Sequence, residues 1–446
     1  MADAPSLQCS LATCKLLVGK AASDYTIPLS QALRVYDVDL STGEERERAT
    51  LPRLKKGAGS IYSQLFGPGY KHHTIKYCPT HNTIFHHVDR DDIFFVGDIH
   101  GDVGVFVMLL IQIGCITLAG GVDDEKRLHE IYQYCPDPSI RERETVYAQL
   151  TKLLLWNPHF VGTVVFMGDM VDNRRSADQD PAGVCAYADS QLAIIQTIVR
   201  LREHAKHQLV VVVGNHDVYS IIHGMYFAPY MSNEQADLSR KRVRPAWSAT
   251  FRRLLAEAEA CAIFQPVDWL VACHGGLRSD FGMMIAKTAA AAKIVERCNA
   301  RFAPLWTTPY EVSASATPPV QYSRALQDFW ITQHINVFWC RPLSQHSPEA
   351  CKRADLLPAV VHVVAHQTKQ CIQLNSEQFC DAQVSTQLDP QKTPVIFTDL
   401  AMSRAFHSPD VRTTARLGYA VINKRTRMFK AEYVDSATHL ALLYPK

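Results

Sequence analysis

None of the 13 cysteines forms a C-x-x-C pair, so the spacing of the common zinc modules is absent. Scattered from Cys9 to Cys380 and odd in number, the cysteines suit thiols in a reducing compartment better than a disulfide framework. Charge of one sign is also missing. A net charge of +2 gives no overall field to attract nucleic acid or an anionic membrane. No apolar run is long enough to span a bilayer: Val103 to Ile113 is interrupted by Gly104 and Gln112. The first 20 residues lack a basic stretch followed by an apolar one, the pattern of a secretory signal. Repeats and low-complexity tracts are absent too. With 47% hydrophobic and 20% charged residues, the expectation is a soluble, intracellular and most simply cytoplasmic globular protein with a sizeable core.

What the sequence does have is a recurring device. The run Ile93 to Val96 reads as a buried strand, and it ends in Gly97-Asp98-Ile99-His100-Gly101. A turn after such a strand lies at the carboxyl edge of an open α/β sheet, where ligands bind. A carboxylate and an imidazole two residues apart can face one point from that turn, and they suit a divalent transition metal rather than calcium. Val164 to Met167 is a second such strand, ending in Gly168-Asp169-Met170-Val171-Asp172-Asn173-Arg174. Leu209 to Val213 is a third, ending in Gly214-Asn215-His216-Asp217. Trp269 to Cys273 ends in His274-Gly275-Gly276, and Ala359 to Ala365 ends in His366-Gln367-Thr368. Helices are expected over Gly101 to Ile113 and Ser190 to His204. Strand, loop and helix alternating in this way predict a parallel α/β layer. Pro394 to Thr398 and Tyr419 to Asn423 read as later strands of a second sheet.

Any one of these polar residues could be a turn aspartate or a satisfied core histidine. Five strand ends in succession are not explained that way. Two neighbouring divalent ions need several ligands each, with one shared. Carboxylate, amide and imidazole groups from these turns supply that number. Residues 1–90 carry no comparable signal and are expected to form an N-terminal extension. Residues 91–446 are expected to be one catalytic domain, with an insertion at about 115–158 that suits elaboration or contact with a regulatory partner. The basic run Arg240 to Arg244 reads as a solvated face.

The ordered set GDIHG, GDMVDN, GNHD, HGG and AHQ resembles the motifs of the calcineurin-like metallophosphoesterases, in particular the phosphoprotein phosphatase branch, where the wording is GDxHG, GDxVDRG, GNHE and HGG. The likeness covers about Ile93 to Thr368. It continues through Asp399 to Phe406, which is similar to a D-x-G-M-S segment of bacterial-type (Shewanella-like) members. The resemblance implies a four-layered α/β/β/α sandwich with a dinuclear metal site at the strand ends. It implies Asp98, His100, Asp169, Asn215, His274 and His366 as ligands of two divalent ions (manganese, iron or zinc), with Asp169 shared. It also implies His216 as general acid and Asp172 as the carboxylate that holds it. The ions would lower the pKa of a water between them, and hydroxide would attack the phosphate ester. Where the family has an arginine after V-D this chain has Asn173, so the phosphate clamp falls to Arg341 or Arg174. The activity expected is that of a protein Ser/Thr phosphatase acting on a phosphorylated protein or small phosphate ester. A nucleotide or dinucleoside polyphosphate hydrolase is the first alternative and a non-catalytic partner-binding scaffold the second.

Overall fold

The computed structural model describes residues 91–118, 152–158, 160–171, 188–222, 245–285, 291–308, 319–332, 336–344, 350–380, 384–402 and 417–434, together with five strands nearer the N-terminus. Those five, Lys15–Leu17, Leu33–Asp39, Glu45–Leu51, Ile75–Cys78 and Thr83–Val88, form a sheet of their own. Asp172, Asn173, Arg174, Arg240 to Arg244 and most of the expected insertion lie outside the described residues.

Six strands organise the rest: β1 (Asp92–Val96), β2 (Thr163–Phe166), β3 (Leu209–Val211), β4 (Leu270–Cys273), β5 (Val361–Val364) and β6 (Val395–Phe397). β1, β2 and β3 run parallel in one six-stranded sheet, and β4, β5 and β6 run parallel in a second. Their side chains are buried almost throughout, as continuous aliphatic runs covered on both faces should be. Antiparallel strands extend the first sheet beyond β1 and flank the parallel strands of the second on both sides. Pro394 to Thr398 does enter the second sheet as β6. Gly418–Asn423 departs from expectation: it pairs antiparallel with β1 in the first sheet. Its aliphatic pattern gives burial, but its partner is fixed only by long-range packing.

Helix α1 (Val103–Ile113) starts at Asp102, whose carboxylate accepts the Val105 N–H, and stops at Gly114 in a left-handed cap. α2 (Ala188–Ala205) packs on β3 and on α1, whereas the helix Ala291–Phe302 packs on the strand Ile263–Val267 of the second sheet. One apolar core runs through both sheets. Helices outside and two sheets between make the expected α/β/β/α sandwich.

The cysteines correct one expectation. Cys371 and Cys380 form a disulfide across the hairpin Ile372–Leu374 and Glu377–Phe379, whose antiparallel pairing brings their Cα atoms to 5.3 Å. Among the described residues Cys115, Cys261, Cys273, Cys298, Cys340 and Cys351 are free thiols, and all but Cys261 are buried. No helix among the described residues is long and apolar enough to cross a membrane.

Candidate metal centre

All six parallel strands end at one place. The turn after β1 carries Asp98 and His100, that after β2 Asp169, and that after β3 Asn215 and His216 at the start of α3 (Asn215–Ile222). From the second sheet β4 delivers His274, β5 His366 and β6 Asp399. The two sets of ends are pressed together at Gly97, and the turns after β2 and β3 at Gly214. A Cβ on Gly97 would lie 2.2 Å from the carbonyl oxygen of Thr398, and one on Gly214 would lie 2.2 Å from Asp169 Oδ1. Only glycine permits either approach. His100, Asp169 and His366 hold φ of 45°, 49° and 61°. Left-handed backbone at residues with a Cβ costs about 1–2 kcal/mol each and persists where the surroundings enforce it.

A cleft of about 450 Å³ opens over this junction, lined by Asp98, His100, Asp169, Asn215, His216, Trp339, Arg341, His366, Thr368, Lys369 and Asp399 among others. His274 lies beneath, fully buried. The ligand-type atoms of Asp98, His100 and Asp169 lie within 4.8 Å of one another, and so do those of Asp169, His274 and His366. Asp169 belongs to both groups. Its Oδ1 accepts the backbone N–H of His216 at 2.9 Å. Its Oδ2 faces His274 Nε2 at 3.3 Å, His100 Nε2 at 3.7 Å and His216 Nε2 at 3.9 Å.

The imidazoles are held by their far nitrogens. His100 Nδ1 donates to the Val171 carbonyl at 3.2 Å, and His274 Nδ1 donates to the Met167 carbonyl at 2.9 Å. Each ring then turns Nε2 toward the carboxylates, the orientation that backbone carbonyls commonly fix for metal-ligating histidines. For His274, Nε2 also meets Asn215 Oδ1 at 2.8 Å. A neutral imidazole has one N–H, so a ring with oxygen acceptors at both nitrogens requires something positive at the second, either a proton or a metal ion.

The electrostatics make the same demand. Burial first, and then the charges of Asp399 and Asp169, push the Asp98 carboxyl well above the usual range. Burial pushes Asp399 up as well. For Asp169 burial is outweighed by His274, His216 and His100, which hold it well below the usual carboxylate range. Burial lowers His274, but Asp169 more than reverses that. Burial, His274 and Arg341 hold His366 well down, so its ring is neutral with a lone pair available. Asp98 Oδ1 and His366 Nε2 are buried with no hydrogen-bond partner among the described residues. Crowded carboxylates and uncompensated buried acceptors are what cations relieve, so the residues present fit two divalent ions.

Of the residues singled out from the sequence, Asp98, His100, Asp169, Asn215, His216, His274, His366 and Arg341 gather here. Asp172 and Arg174 lie outside the described residues. Asp217, the last residue of GNHD where the resembling motif GNHE has glutamate, is wholly buried. Its Oδ1 accepts the N–H groups of Met170 (2.9 Å) and Val171 (3.3 Å), and its Oδ2 accepts that of Gly214 (2.8 Å). It thereby ties the turn carrying Asp169 to the turn carrying Asn215. Burial and the Asp169 charge push its pKa to about 7. Asp399 and Lys369 were not singled out for a role. A signal for Asp399 existed, because it follows its apolar strand by two residues, as Asp98 and His366 follow theirs.

Fold and site together define a mixed α/β protein with a buried carboxylate–imidazole cluster at the joined ends of two parallel strand triplets. No protein-family model matches the chain, and no curated protein matches it in sequence. Among solved structures it is similar to a metallophosphoesterase from Sphaerobacter thermophilus, with 11% identity over 77% of this chain and 88% of that one and a TM-score of 0.29. It is also similar to the phosphatase domain of the Legionella effector WipB, with 13% identity over 48% of this chain and 81% of that one and a TM-score of 0.31.

Proposed function

We propose that this chain is a metal-dependent phosphoesterase and, within that class, a phosphomonoesterase acting on phosphoserine and phosphothreonine in proteins. One observation carries the reading. Asp169 is shared by two groups of potential ligands, and each group contains a buried atom, Asp98 Oδ1 or His366 Nε2, with no hydrogen-bond partner among the described residues. Asp98, His100 and Asp169 would hold one ion, and Asp169, Asn215, His274 and His366 the other. Carboxylate, amide and imidazole donors suit manganese, iron or zinc. Bound there, the ions would supply a water of lowered pKa and charge to screen the phosphoryl oxygens.

The chain's own groups do the rest. The His216 amide and the anchored rings of His100 and His274 fix the shared carboxylate. His216, at the start of α3 and edge-on to His100 with ring centroids 5.2 Å apart, stands where a departing oxygen can take a proton from it. Asp172 is assigned to orient that ring. Arg341 in the same cleft offers a planar fork for the remaining phosphate oxygens, and Arg174 would add a second. The test is a panel of phosphopeptides, aryl phosphates and dinucleoside polyphosphates on protein of known metal content. About two ions per chain and a preference for phosphopeptides are expected. Preference for the dinucleotides would make the chain a polyphosphate hydrolase. Absence of both metal and turnover after manganese addition would leave a non-catalytic scaffold.

A further inference from the structure

A second cation lines the cleft besides Arg341. Lys369 lies three residues beyond His366. Its place is set by the chain at two points: its own N–H donates to the Asp399 carbonyl at 2.8 Å, and the neighbouring Thr368 hydroxyl donates to Asp399 Oδ2 at 3.0 Å. The ammonium rests over the ring of Phe397, 4.7 Å from its centroid. That contact favours the charge, but it satisfies none of the three N–H donors. Among the described residues the Lys369 ammonium makes no hydrogen bond and no close ion pair. Half-burial strips part of its water, and the charge of Asp399 offsets only some of that cost. A lysine serving solubility alone would extend into water, where its stem loses less freedom. This one is folded back over an aromatic ring, at the rim of the cluster, with its donors uncommitted.

We propose that Lys369 is a substrate-binding residue that holds an anionic oxygen of the phosphorylated substrate, as a second cation beside Arg341. The inference rests on the phosphoesterase reading and adds what that reading lacks. Where the resembling family has an arginine after V-D this chain has Asn173, and Lys369 supplies a positive charge from the opposite sheet. Phe397 is the platform, and Asp399 fixes the loop. The anionic oxygen can come from the scissile phosphate or from an acidic group beside it in the substrate.

The test uses full-length, manganese-loaded protein with metal content verified for each variant. Inorganic phosphate is titrated calorimetrically into wild type, Lys369→Met and Lys369→Arg. Methionine keeps the stem on Phe397 and removes the charge. Binding by Lys369→Met should weaken about tenfold, which is ~1.4 kcal/mol, with Lys369→Arg recovering most of it. In a second arm, KM is compared for two phosphoserine peptides, one flanked by aspartates and one by alanines. Weakened phosphate binding with equal KM effects on both peptides places Lys369 on the scissile phosphate. Unchanged phosphate binding, with the loss confined to the acidic peptide, places it on the flanking group. No loss in either arm overturns the proposal while leaving the phosphoesterase reading intact. A wild-type protein that takes up no manganese and binds no phosphate overturns that reading itself.

Discussion

Asp217→Asn is the sharpest probe of how the two turns are held. The carboxylate is wholly buried and accepts three backbone N–H groups, two at one oxygen and one at the other. Asparagine has the same shape but only one acceptor. With its oxygen toward Met170 and Val171, its amide faces the Gly214 N–H, donor against donor. At pH 5 the acid is protonated, yet its hydroxyl oxygen can still accept from Gly214 where an amide nitrogen cannot; leaving one buried donor unsatisfied costs about 1–3 kcal/mol, so a deficit of roughly 2 kcal/mol is expected there. The deficit should depend on pH in the metal-free protein. Asp217 has a folded pKa of about 7 against an ordinary 3.8, so the fold prefers it protonated. The contribution of Asp217 to wild-type stability therefore falls as pH rises from about 4 to 7, by about 1.4 kcal/mol per pH unit within that window. Asparagine does not titrate and loses nothing there. Between pH 5 and pH 8 the deficit should shrink by roughly 2–3 kcal/mol and come close to zero. Manganese should restore part of it at pH 8, because cations beside Asp169 favour the ionised carboxylate. Urea denaturation at the two pH values, with and without manganese, measures all three quantities. A deficit that stays constant from pH 5 to pH 8 in metal-free protein would refute the electrostatic argument. One below about 0.5 kcal/mol at pH 5 would refute the hydrogen-bond argument.

Three further outcomes are expected. His216→Asn should keep its metal and lose roughly 10²–10⁴ in kcat, more on alkyl than on aryl phosphates, whose leaving groups need less help; equal losses on both would mean that His216 does not protonate the leaving group. Arg341→Ala should lower kcat and kcat/KM together by at least about tenfold with metal unchanged, and Arg341→Lys should recover only part, since lysine lacks the fork; near-normal kinetics in both would move the clamp to Arg174. His362, buried in β5 and donating from Nε2 to the Leu357 carbonyl, is held by burial at a pKa of about 4. Because its folded pKa is depressed below an ordinary 6.5, its contribution is complete above about pH 6.5 and lost as pH falls toward 4, a difference of roughly 3 kcal/mol. His362→Gln should flatten that acid limb in urea titrations, and an unchanged limb would rule His362 out as its source.

The sequence by itself determined the strands that end in polar turns and the residues those turns carry. These are local properties: an aliphatic run becomes a buried strand, and a glycine beside an aspartate or histidine becomes a tight turn with a ligand-type side chain. The helix Val103–Ile113 was legible for the same reason, since its cap at Asp102 and its stop at Gly114 lie within the segment. The tertiary structure decided which strands share a sheet. Gly418–Asn423 reads like any late buried strand, yet it pairs with β1 inside the first sheet across more than 300 residues, a pairing that no local pattern encodes. It also decided that Gly97 abuts Thr398, which brings the second sheet's Asp399 and Lys369 into a site that otherwise reads as belonging to five motifs. Asp217 marks the boundary between the two. Its side chain follows from the motif, but its three amide donors come from two separate turns, and only the packing of β2 beside β3 brings those donors together.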